Sequence, residues 1–282
     1  MKRQVVDLHC HSTISDGILT PEEVALRAVT KGVTLWALTD HDAIAGIIPA
    51  YQIAEAHNVL CVSGVEISAA WHNYPIHIVG LGFDVQHPVI VTALQKIRAG
   101  RLIRAAGMAS EFDKIGIHGT LEGAKKYAKN PELIGRAHFA RYLVEMGYAS
   151  NVNAVFKKYL AAGKPGYFPH QWAEFTEAIS WIQASGGVAV LAHPGRYEMI
   201  KGEREQRLLA EFKEAGGVGL EVISGSHTPD QHRFYEKMAK QYGFEASVGS
   251  DFHEPPKAGE TDLGQLSSLP EGLTPVWERW LN

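Results

Sequence analysis

Histidine, aspartate and glutamate recur in short motifs of this sequence, with spacings that are typical of metal ligands. His9 and His11 are two residues apart, and Asp251 and His253 repeat this spacing near the other end of the chain. Side chains two residues apart on a strand project from the same face, so each pair can contribute to one ion. Further candidates lie between the two pairs, and they are Asp16, His41, Glu66, His77 and His193.

A single histidine near the end of a strand is usually a hydrogen-bonded core or rim residue. The joint pattern is different, because burying so many polar groups without a metal would be very costly. Imidazole mixed with carboxylate suits Mn²⁺, Zn²⁺ or Fe²⁺ better than Ca²⁺ or Mg²⁺, which prefer oxygen ligands. The candidates suffice for about three ions only if a carboxylate bridges, and we predict that Glu66 is this bridge. Glu221 is the weaker candidate, as a structural carboxylate or a support of the ligands.

Strands must position these residues, and several segments have the apolar character of strands. The predicted strands are Val5–His9, Leu35–Asp40, Val59–Glu66, Pro75–Phe83, Gly187–Pro194, Val218–Ser224 and Glu245–His253. Most candidates lie at or just after the carboxyl end of a strand, whereas His77 lies near the start of its own. Parallel strands with helical crossovers form a closed barrel or an open doubly wound sheet. No glycine-rich loop of the dinucleotide-binding or phosphate-binding type follows a strand.

Helices are predicted between these strands. Thr20 followed by Pro21 and Glu23 is a capping box that begins a helix, and Gly32 is expected to end it after Lys31. The other crossover helices are expected at Ala43–His57, Phe175–Ser185, Arg204–Ala215 and Asp230–Tyr242.

Between residues 87 and 170 the alternation stops and no strand is predicted. The helices expected there are Val89–Ile115, a short helix after Thr120, Arg136–Met146 and Asn151–Tyr159. We therefore predict two units. Residues 1–86 and 171–282 would form the metal-binding barrel, and residues 87–170 a helical insertion that caps the mouth of the active site. No low-complexity linker separates the two, so the insertion is expected to pack on the barrel.

Length and composition set further bounds. The chain has 282 residues, which suits one α/β barrel, and its apolar share is 45%. A net charge of −4 without a basic run argues against long duplex nucleic acid and leaves a nucleotide or short RNA as partner. No stretch has the ~18 apolar residues needed to cross a bilayer, and no secretory signal is recognisable. We therefore expect a cytoplasmic protein without a membrane partner. Cys10 and Cys61 are expected to be free thiols.

The motifs DLHCHSTISDG, ALTDHD, GVEIS, HIVGLGF, LAHPGR and GSDFH resemble, in this order, those of the polymerase and histidinol phosphatase (PHP) family. The resemblance implies an α/β fold with a distorted (β/α)7 barrel. It also implies a site for about three divalent cations, with Mn²⁺ as the first choice and Zn²⁺ or Fe²⁺ as alternatives. By position, the implied ligands are His9, His11, Glu66 and Asp251 for one ion, Glu66, His77 and His193 for the second, and Asp16, His41 and His253 for the third.

Three further segments narrow the resemblance. Ile134–Gly147, Lys157–Pro169 and Ala189–Tyr197 resemble the subgroup of nucleoside 3′,5′-bisphosphate phosphatases, to which bacterial 5′-to-3′ exoribonucleases also belong. This implies a phosphoesterase that converts a nucleoside 3′,5′-bisphosphate to the 5′-nucleotide and phosphate, and that can shorten 5′-phosphorylated oligoribonucleotides. Ala137 and Glu254 depart from the subgroup, which has proline and glycine there, but neither replaces a ligand.

Substrate contacts are predicted near these segments. Arg136, His138 and Arg196 are candidates for phosphate binding, since guanidinium offers a planar fork of donors for phosphate oxygens. Arg196 and His227 are the candidate catalytic residues, and His227 would protonate the leaving oxygen or contact phosphate. Aromatic side chains that could stack on a base are Trp71, Tyr74, Phe168 and Trp172.

Three other functions are compatible with parts of this pattern. A phosphatase for a small metabolite such as histidinol phosphate would share the ligands, but the helical insertion counts against it. A C–N hydrolase of related barrels would use a lysine bridge, which is not found. A PHP domain without metals would be a binding module, and the intact set of ligands argues against it. The sequence gives no indication of oligomeric state.

Overall fold

The computed structural model describes residues 4–169, 172–256 and 261–281, and its strands form two sheets. A three-stranded parallel sheet has the order β1-β2-β3, with β1 at Val6–Asp7, β2 at Leu35–Trp36 and β3 at Leu60–Cys61. A six-stranded mixed sheet has the order β6-β4-β5-β7-β8-β9. Its strands are β4 Gly64–Trp71, β5 Tyr74–Leu81, β6 Ala173–Glu174, β7 Val188–Leu191, β8 Gly219–Ser224 and β9 Glu245–Gly249.

The predicted strand Val59–Glu66 is divided between the two sheets, since β3 ends at Cys61 and β4 begins at Gly64. A side chain at Gly64 would lie 2.7 Å from the backbone oxygen of Leu38, so the chain can cross close to β2 only with glycine there. Local apolar character could not show this division, because both parts have the composition of buried strands.

Strand β5 runs antiparallel to β4 and β7, so the expectation of parallel strands was wrong for this segment. The turn between β4 and β5 consists of His72 and Asn73, both with positive φ, and a two-residue turn can join only antiparallel strands. The reversal also explains the position of His77. The start of β5 lies beside the carboxyl end of β7, where Ala192 N donates to the His77 oxygen at 3.1 Å.

Isolated bridges connect the two sheets at the ends of their strands. Cys10 pairs in parallel with Phe252, and His41 pairs in parallel with Glu66. Leu8 N also donates to the Val248 oxygen at 3.0 Å, which places β1 beside β9. The fold is thus an α/β fold of mixed sheets whose bridged segments carry the predicted ligands. The closed seven-stranded barrel stays a prediction.

The helices follow the predicted pattern closely. They are α1 Pro21–Thr30, α2 Ile47–Ala56, α3 Pro88–Lys114, α4 Thr120–Lys125, α5 Arg136–Glu145, α6 Val152–Val155, α7 Phe175–Ala184, α8 Glu203–Glu214 and α9 Pro229–Tyr242. The capping box of α1 is confirmed, since Thr20 and Glu23 satisfy each other's backbone N–H groups. Helix α2 begins later than predicted, at Ile47 after Gly46. No described helix is long and apolar enough to span a bilayer.

The segment from α3 to α6 has an apolar cluster of its own. Phe112, Phe139, Leu143 and Tyr159 are buried in it, and the Phe112 and Phe139 rings are stacked with centroids 6.0 Å apart. A π-helical turn at Phe156–Leu160 extends α6. No strand occurs among the described residues 87–169, as predicted. Helices α7, α8 and α9 instead pack on the six-stranded sheet, within a second cluster.

Candidate metal and phosphate site

The predicted metal ligands lie together where the two sheets are bridged. Their donor atoms form four overlapping groups, within each of which all atoms lie within 4.8 Å of one another. The groups are His11, Asp16, His41 and His253; His9, Glu66 and His193; His9, His11 and Asp251; and His41, Glu66 and His77. We call these nine residues the ligand cluster. The groups differ from the implied assignment in that His11 joins Asp16, while His77 and His193 belong to separate groups that share Glu66.

Glu66 is the centre of the ligand cluster and is completely buried on β4. Its Oε1 lies 2.7 Å from His77 Nδ1 and 2.8 Å from His193 Nε2. Its Oε2 faces three further imidazole nitrogens, at 2.9 Å from His41 Nδ1, 3.2 Å from His11 Nε2 and 3.3 Å from His9 Nε2. The two oxygens of Glu66 thus face different imidazoles. A carboxylate that bridges two ions needs this arrangement.

Asp251 connects the first histidine pair to Arg196. Its Oδ1 lies 3.4 Å from His11 Nε2 and 3.6 Å from His9 Nε2. Its Oδ2 accepts a hydrogen bond of 2.5 Å from Arg196 Nη1. Burial raises the pKa of Asp251, but Arg196 and the nearby histidines outweigh burial and hold this pKa well below its usual range. Asp251 is therefore ionised at neutral pH.

Buried donor and acceptor atoms of the ligand cluster lack hydrogen-bond partners. They are His9 Nε2, His11 Nε2, Asp16 Oδ1, His41 Nδ1, Glu66 Oε2, His193 Nδ1 and Asp251 Oδ1. Each unpaired buried polar atom costs about 1–3 kcal/mol, so a concentration of them in one place calls for a compensating ligand. Divalent cations would satisfy these atoms, because imidazole nitrogen and carboxylate oxygen are their usual donors. The residues present therefore fit a metal centre.

The protonation states of most of these groups also suit metal binding, which needs neutral imidazole and ionised carboxylate. Burial lowers the pKa of His193 to about 3. Burial raises the pKa of Glu66, but the surrounding histidines outweigh burial and hold it well below its usual range. His9 and His11 are different, since neighbouring carboxylates overcome burial, raising the pKa of His9 well above its usual value and that of His11 to about 10. A divalent cation between His11 and these carboxylates would displace that proton and supply the compensating positive charge.

Two acidic residues support the ligand cluster from behind. Glu221 on β8 is buried, with Oε1 3.1 Å from His9 Nδ1 and Oε2 accepting from His193 N at 2.5 Å. Asp40 holds the loop after β1, because its Oδ1 accepts from Ser12 N at 2.8 Å and from Ser15 Oγ at 2.6 Å. A carboxylate on the second nitrogen of a ligating histidine fixes the tautomer and ring orientation. Of the two roles considered for Glu221, the structure favours support of the ligands.

A cavity of about 920 Å³ opens over the ligand cluster. Its lining includes Asp16, His41, His77, Asp251 and His253 of the ligand cluster. The helices of residues 87–170 add Arg101, Arg104, Arg136, His138 and Arg141 to the lining, and we call these five residues the arginine pocket. This volume is at the upper end of small-molecule sites, so the cavity can hold a nucleotide. Metal ligands and a basic surface thus face the same space.

Within the arginine pocket Arg101 is paired with Asp42, whereas Arg104 and Arg136 have no carboxylate partner among the described residues. Burial lowers the pKa of Arg104 to about 9, with a further contribution from Arg136 and Arg101, and its Nε has no hydrogen-bond partner. Burial also lowers the pKa of Arg136. His138 Nδ1 accepts from Gly135 N at 3.0 Å, so its proton lies on Nε2, which has no partner among the described residues. Unpaired donors around a cavity are the features of an anion site.

Comparison with known proteins shows where the chain belongs. Residues 7–222 match the PHP domain family. The chain belongs to the PHP family. It is 46% identical over 272 residues to a 3′,5′-nucleoside bisphosphate phosphatase of Chromobacterium violaceum, covering 96% of this chain and 95% of that one. It is 44% identical over 278 residues to the 5′-3′ exoribonuclease Rnm of Escherichia coli, covering 98% and 94%.

The structure agrees with this membership of the PHP family. The fold matches that of an amidohydrolase from Chromobacterium violaceum, solved with bound sulfate, at a TM-score of 0.92 and 44% identity. The match covers 98% of this chain and 95% of that one. The similarity therefore includes the helices of residues 87–170 and not only the PHP motifs.

The structure argues against the role predicted for His227 in this PHP protein. The ring is buried and does not line the cavity. Its Nε2 accepts from Gly195 N at 3.0 Å, so the proton lies on Nδ1, which is directed at the Val222 oxygen at 3.5 Å. Neither nitrogen is available to a substrate. Arg196, in contrast, lines the cavity beside Asp251.

Of the aromatic residues considered for base stacking, only Trp172 lines the cavity. Its ring lies under two guanidinium groups, 4.9 Å from Arg101 and 5.2 Å from Arg104. Trp71 is buried and donates to Glu211, while Tyr74 and Phe168 pack against apolar clusters. The sequence alone did not indicate Arg104, because a lone arginine in a long helix resembles any solvated residue. The signal that could have found it is its position on the buried face of α3 together with Arg101.

Proposed function

We propose that this protein hydrolyses the 3′-phosphate ester of nucleoside 3′,5′-bisphosphates, yielding the 5′-nucleotide and phosphate. The observation that carries the proposal is that residues of the ligand cluster and of the arginine pocket line the same cavity. A substrate with two phosphates matches this arrangement, because one phosphate can lie at each side. The names of the relatives at 46% and 44% identity support the same substrate class.

The ligand cluster would hold about three divalent cations, and Mn²⁺ is favoured because imidazole and carboxylate are mixed. Cations bound there supply an activated water and neutralise charge on the phosphoryl oxygens. Glu66 is proposed as the shared ligand, and Glu221 keeps His9 and His193 oriented. We propose the three sets of ligands that the resemblance to the PHP family implies, one for each cation.

The arginine pocket is proposed to bind the 5′-phosphate. Arg136, predicted from the sequence, and Arg104 contribute charge, and His138 Nε2–H donates a hydrogen bond as a neutral imidazole. Arg196 is proposed to contact the 3′-phosphate, since its guanidinium lies beside Asp251 in the ligand cluster. Holding one phosphate in the arginine pocket places the ester on the other side of the ribose over the cations. Orientation of this kind is a large part of phosphoryl-transfer catalysis.

The same arrangement accounts for a second substrate. A short RNA with a 5′-phosphate presents a phosphodiester where the bisphosphate presents its 3′-phosphate. Hydrolysis there releases a 5′-nucleotide and leaves a new 5′-phosphate on the shortened chain, so the strand is degraded from 5′ to 3′. An aromatic side chain is also present for a base of such a strand, since Trp172 lines the cavity and can stack on a base.

The proposal extends to the architecture and the location of the protein. We propose that the bridged sheets represent a distorted (β/α)7 barrel from residues 1–86 and 171–282, and that residues 87–170 form a unit that caps its mouth. The separate apolar cluster of that unit supports the division, while the boundary at residues 170 and 171 lies outside the described residues. We also propose a cytoplasmic location and no long duplex or membrane partner, in keeping with the net charge of −4.

The experiment that tests the proposal is hydrolysis of adenosine 3′,5′-bisphosphate by Mn²⁺-loaded protein, with a 5′-phosphorylated RNA oligomer in parallel. We expect phosphate and 5′-AMP from the first substrate and 5′-mononucleotides from the second. His193→Ala should abolish both reactions, whereas His118→Ala, a change at an exposed histidine, should leave them intact. Release of 3′-AMP, or turnover of histidinol phosphate alone, would show that the arginine pocket does not hold the 5′-phosphate.

A further inference from the structure

The turn after β7 connects a metal ligand to Arg196, and contacts from α9 hold it. His193, Pro194, Gly195 and Arg196 follow β7 directly, and His193 has a φ of 25°, which non-glycine residues rarely adopt. Its backbone N–H donates to Glu221 at 2.5 Å, which fixes the start of the turn. Arg196 N donates to the His193 oxygen at 3.0 Å, and residues outside the ligand cluster bind Gly195 between them.

Both polar groups of Gly195 are bound by residues at or just before the beginning of α9, and Lys201 Nζ also donates to the Gly195 oxygen at 3.4 Å. Gly195 N–H donates to His227 Nε2 at 3.0 Å, and the Gly195 oxygen accepts from Gln231 Nε2 at 3.0 Å. Only glycine fits between them, because a Cβ there would lie 2.7 Å from His227 Cδ2 and 2.7 Å from Gln231 Nε2. We call His227 and Gln231 the turn clamp.

The turn clamp is itself rigidly held. Gln231 Oε1 accepts from Thr228 N at 2.8 Å in the capping box of α9, so the orientation of its amide is fixed. The His227 ring stacks on Tyr235 with centroids 4.9 Å apart, and the Tyr235 hydroxyl donates to buried Glu205. A side chain with every polar atom engaged transmits position well, because it has no alternative rotamer of similar energy.

We propose that His227 and Gln231 are positioning residues for phosphate hydrolysis, acting through Gly195 to hold Arg196 against Asp251. The inference rests on the proposed contact of Arg196 with the 3′-phosphate. The residue that the sequence suggested as a proton donor would thus serve the reaction through the backbone instead of through proton transfer.

Gln231→Glu is the discriminating variant. The carboxylate keeps an acceptor for Thr228 N, so the cap survives, but it cannot donate to the Gly195 oxygen and repels it. Gln206→Glu is the matched control, because it makes the same change at an exposed glutamine of α8. We expect kcat/KM for the bisphosphate to fall about 10-fold in Gln231→Glu and to stay unchanged in Gln206→Glu.

A double-mutant cycle with Arg196→Gln separates positioning from general destabilisation. If the turn clamp acts through Arg196, Gln231→Glu should lower kcat/KM less than about twofold when Arg196→Gln is already present. An equal loss in both backgrounds would overturn the proposal. So would a loss of bound metal in Gln231→Glu, measured by elemental analysis, because the variant would then act through His193.

A second measurement does not depend on turnover. In His227→Phe the ring can still stack on Tyr235, but Gly195 N–H loses its acceptor. Hydrogen exchange followed by mass spectrometry should show faster exchange for the peptide containing Gly195, while α9 stays protected. Unchanged exchange would refute the turn clamp. If exchange is faster in His227→Phe but the wild-type protein hydrolyses neither nucleotide substrate, the proposed function is refuted and the turn clamp still stands.

Discussion

The ligand cluster and the arginine pocket line the same cavity, but they are held in different ways. Residues of the ligand cluster lie on or next to strands of two bridged sheets, and buried carboxylates alternate with imidazoles within it, as around Glu66. The arginine pocket lies on helices with a separate apolar cluster, and its charges are nearly all of one sign. The buried carboxylates and imidazoles thus prepare the ligand cluster for cations. The arginine pocket has an excess of positive charge, which an anionic group of the substrate can neutralise.

Arg141 and Arg101 both join the two regions, and Arg141 Nη2 donates to the Asp16 backbone oxygen at 2.8 Å. Arg101 on α3 donates from Nε to Asp42 Oδ2 at 2.7 Å and from Nη2 to Ser68 Oγ at 2.7 Å. Asp42 follows His41, and Ser68 follows Glu66 by two residues on β4. The buried ion pair of Arg101 and Asp42 therefore holds the arginine pocket beside the ligand cluster.

The largest effect is expected from the centre of the ligand cluster. Glu66→Gln keeps the shape of the side chain but removes the charge that faces five imidazoles. We expect kcat/KM to fall by about three orders of magnitude, because charge stabilisation by bound metal amounts to several kcal/mol. Bound Mn²⁺, measured by elemental analysis, should fall in parallel. Full metal content together with lost activity would show that Glu66 is not a shared ligand.

The next largest effect is expected from the ion pair of Arg101 and Asp42, which links the two regions. Arg101→Met should lower the free energy of unfolding by about 3 kcal/mol, because it leaves buried Asp42 without its partner. Urea unfolding measures this change. The double variant Arg101→Met with Asp42→Asn should recover part of the loss, since no charge is then left unpaired. If Arg101→Met unfolds like the wild type, the two regions are not coupled through this ion pair.

Substitutions in the arginine pocket should weaken the hydrolysis of a substrate that has a 5′-phosphate and spare one that lacks it. Arg136→Ala and Arg104→Ala should each raise KM for adenosine 3′,5′-bisphosphate about 10- to 100-fold, the value of a charged hydrogen bond. Hydrolysis of adenosine 3′-monophosphate, which has no 5′-phosphate, should change little. Arg233→Ala, at an exposed arginine of α9, is the matched control. Equal losses on both substrates would mean that the arginine pocket does not distinguish the two phosphates.

The smallest effect is a pH dependence of stability that comes from His138. Burial lowers its pKa to about 4, so the folded protein resists a proton that the unfolded chain accepts below about pH 6.5. Stability should therefore fall as the pH drops from 6.5 towards 4, by at most about 1.4 kcal/mol per pH unit for this group. His138→Gln should reduce that slope in chelator-treated protein unfolded with urea. An identical slope in the variant would contradict a neutral, buried His138.

The helices were largely predictable because their signals are local. The Thr20 capping box, the proline at the start of α1 and the absence of strands between residues 87 and 169 can all be read along the chain. The β4–β5 hairpin was not predicted. Its turn is His72-Asn73, which lacks the glycine that usually marks a two-residue turn, and its strands are as apolar as parallel ones.

By itself, the sequence determined which residue types are available for metal binding and in which order they follow the strands. Such patterns are local, since imidazole and carboxylate chemistry is fixed by residue type and pairs like His9 and His11 by strand geometry. Tertiary structure alone decided that His227 lies behind a turn and that Arg104 faces the cavity. Whether a donor reaches solvent, substrate or a backbone group depends on elements far away in the chain, and no local pattern records that choice.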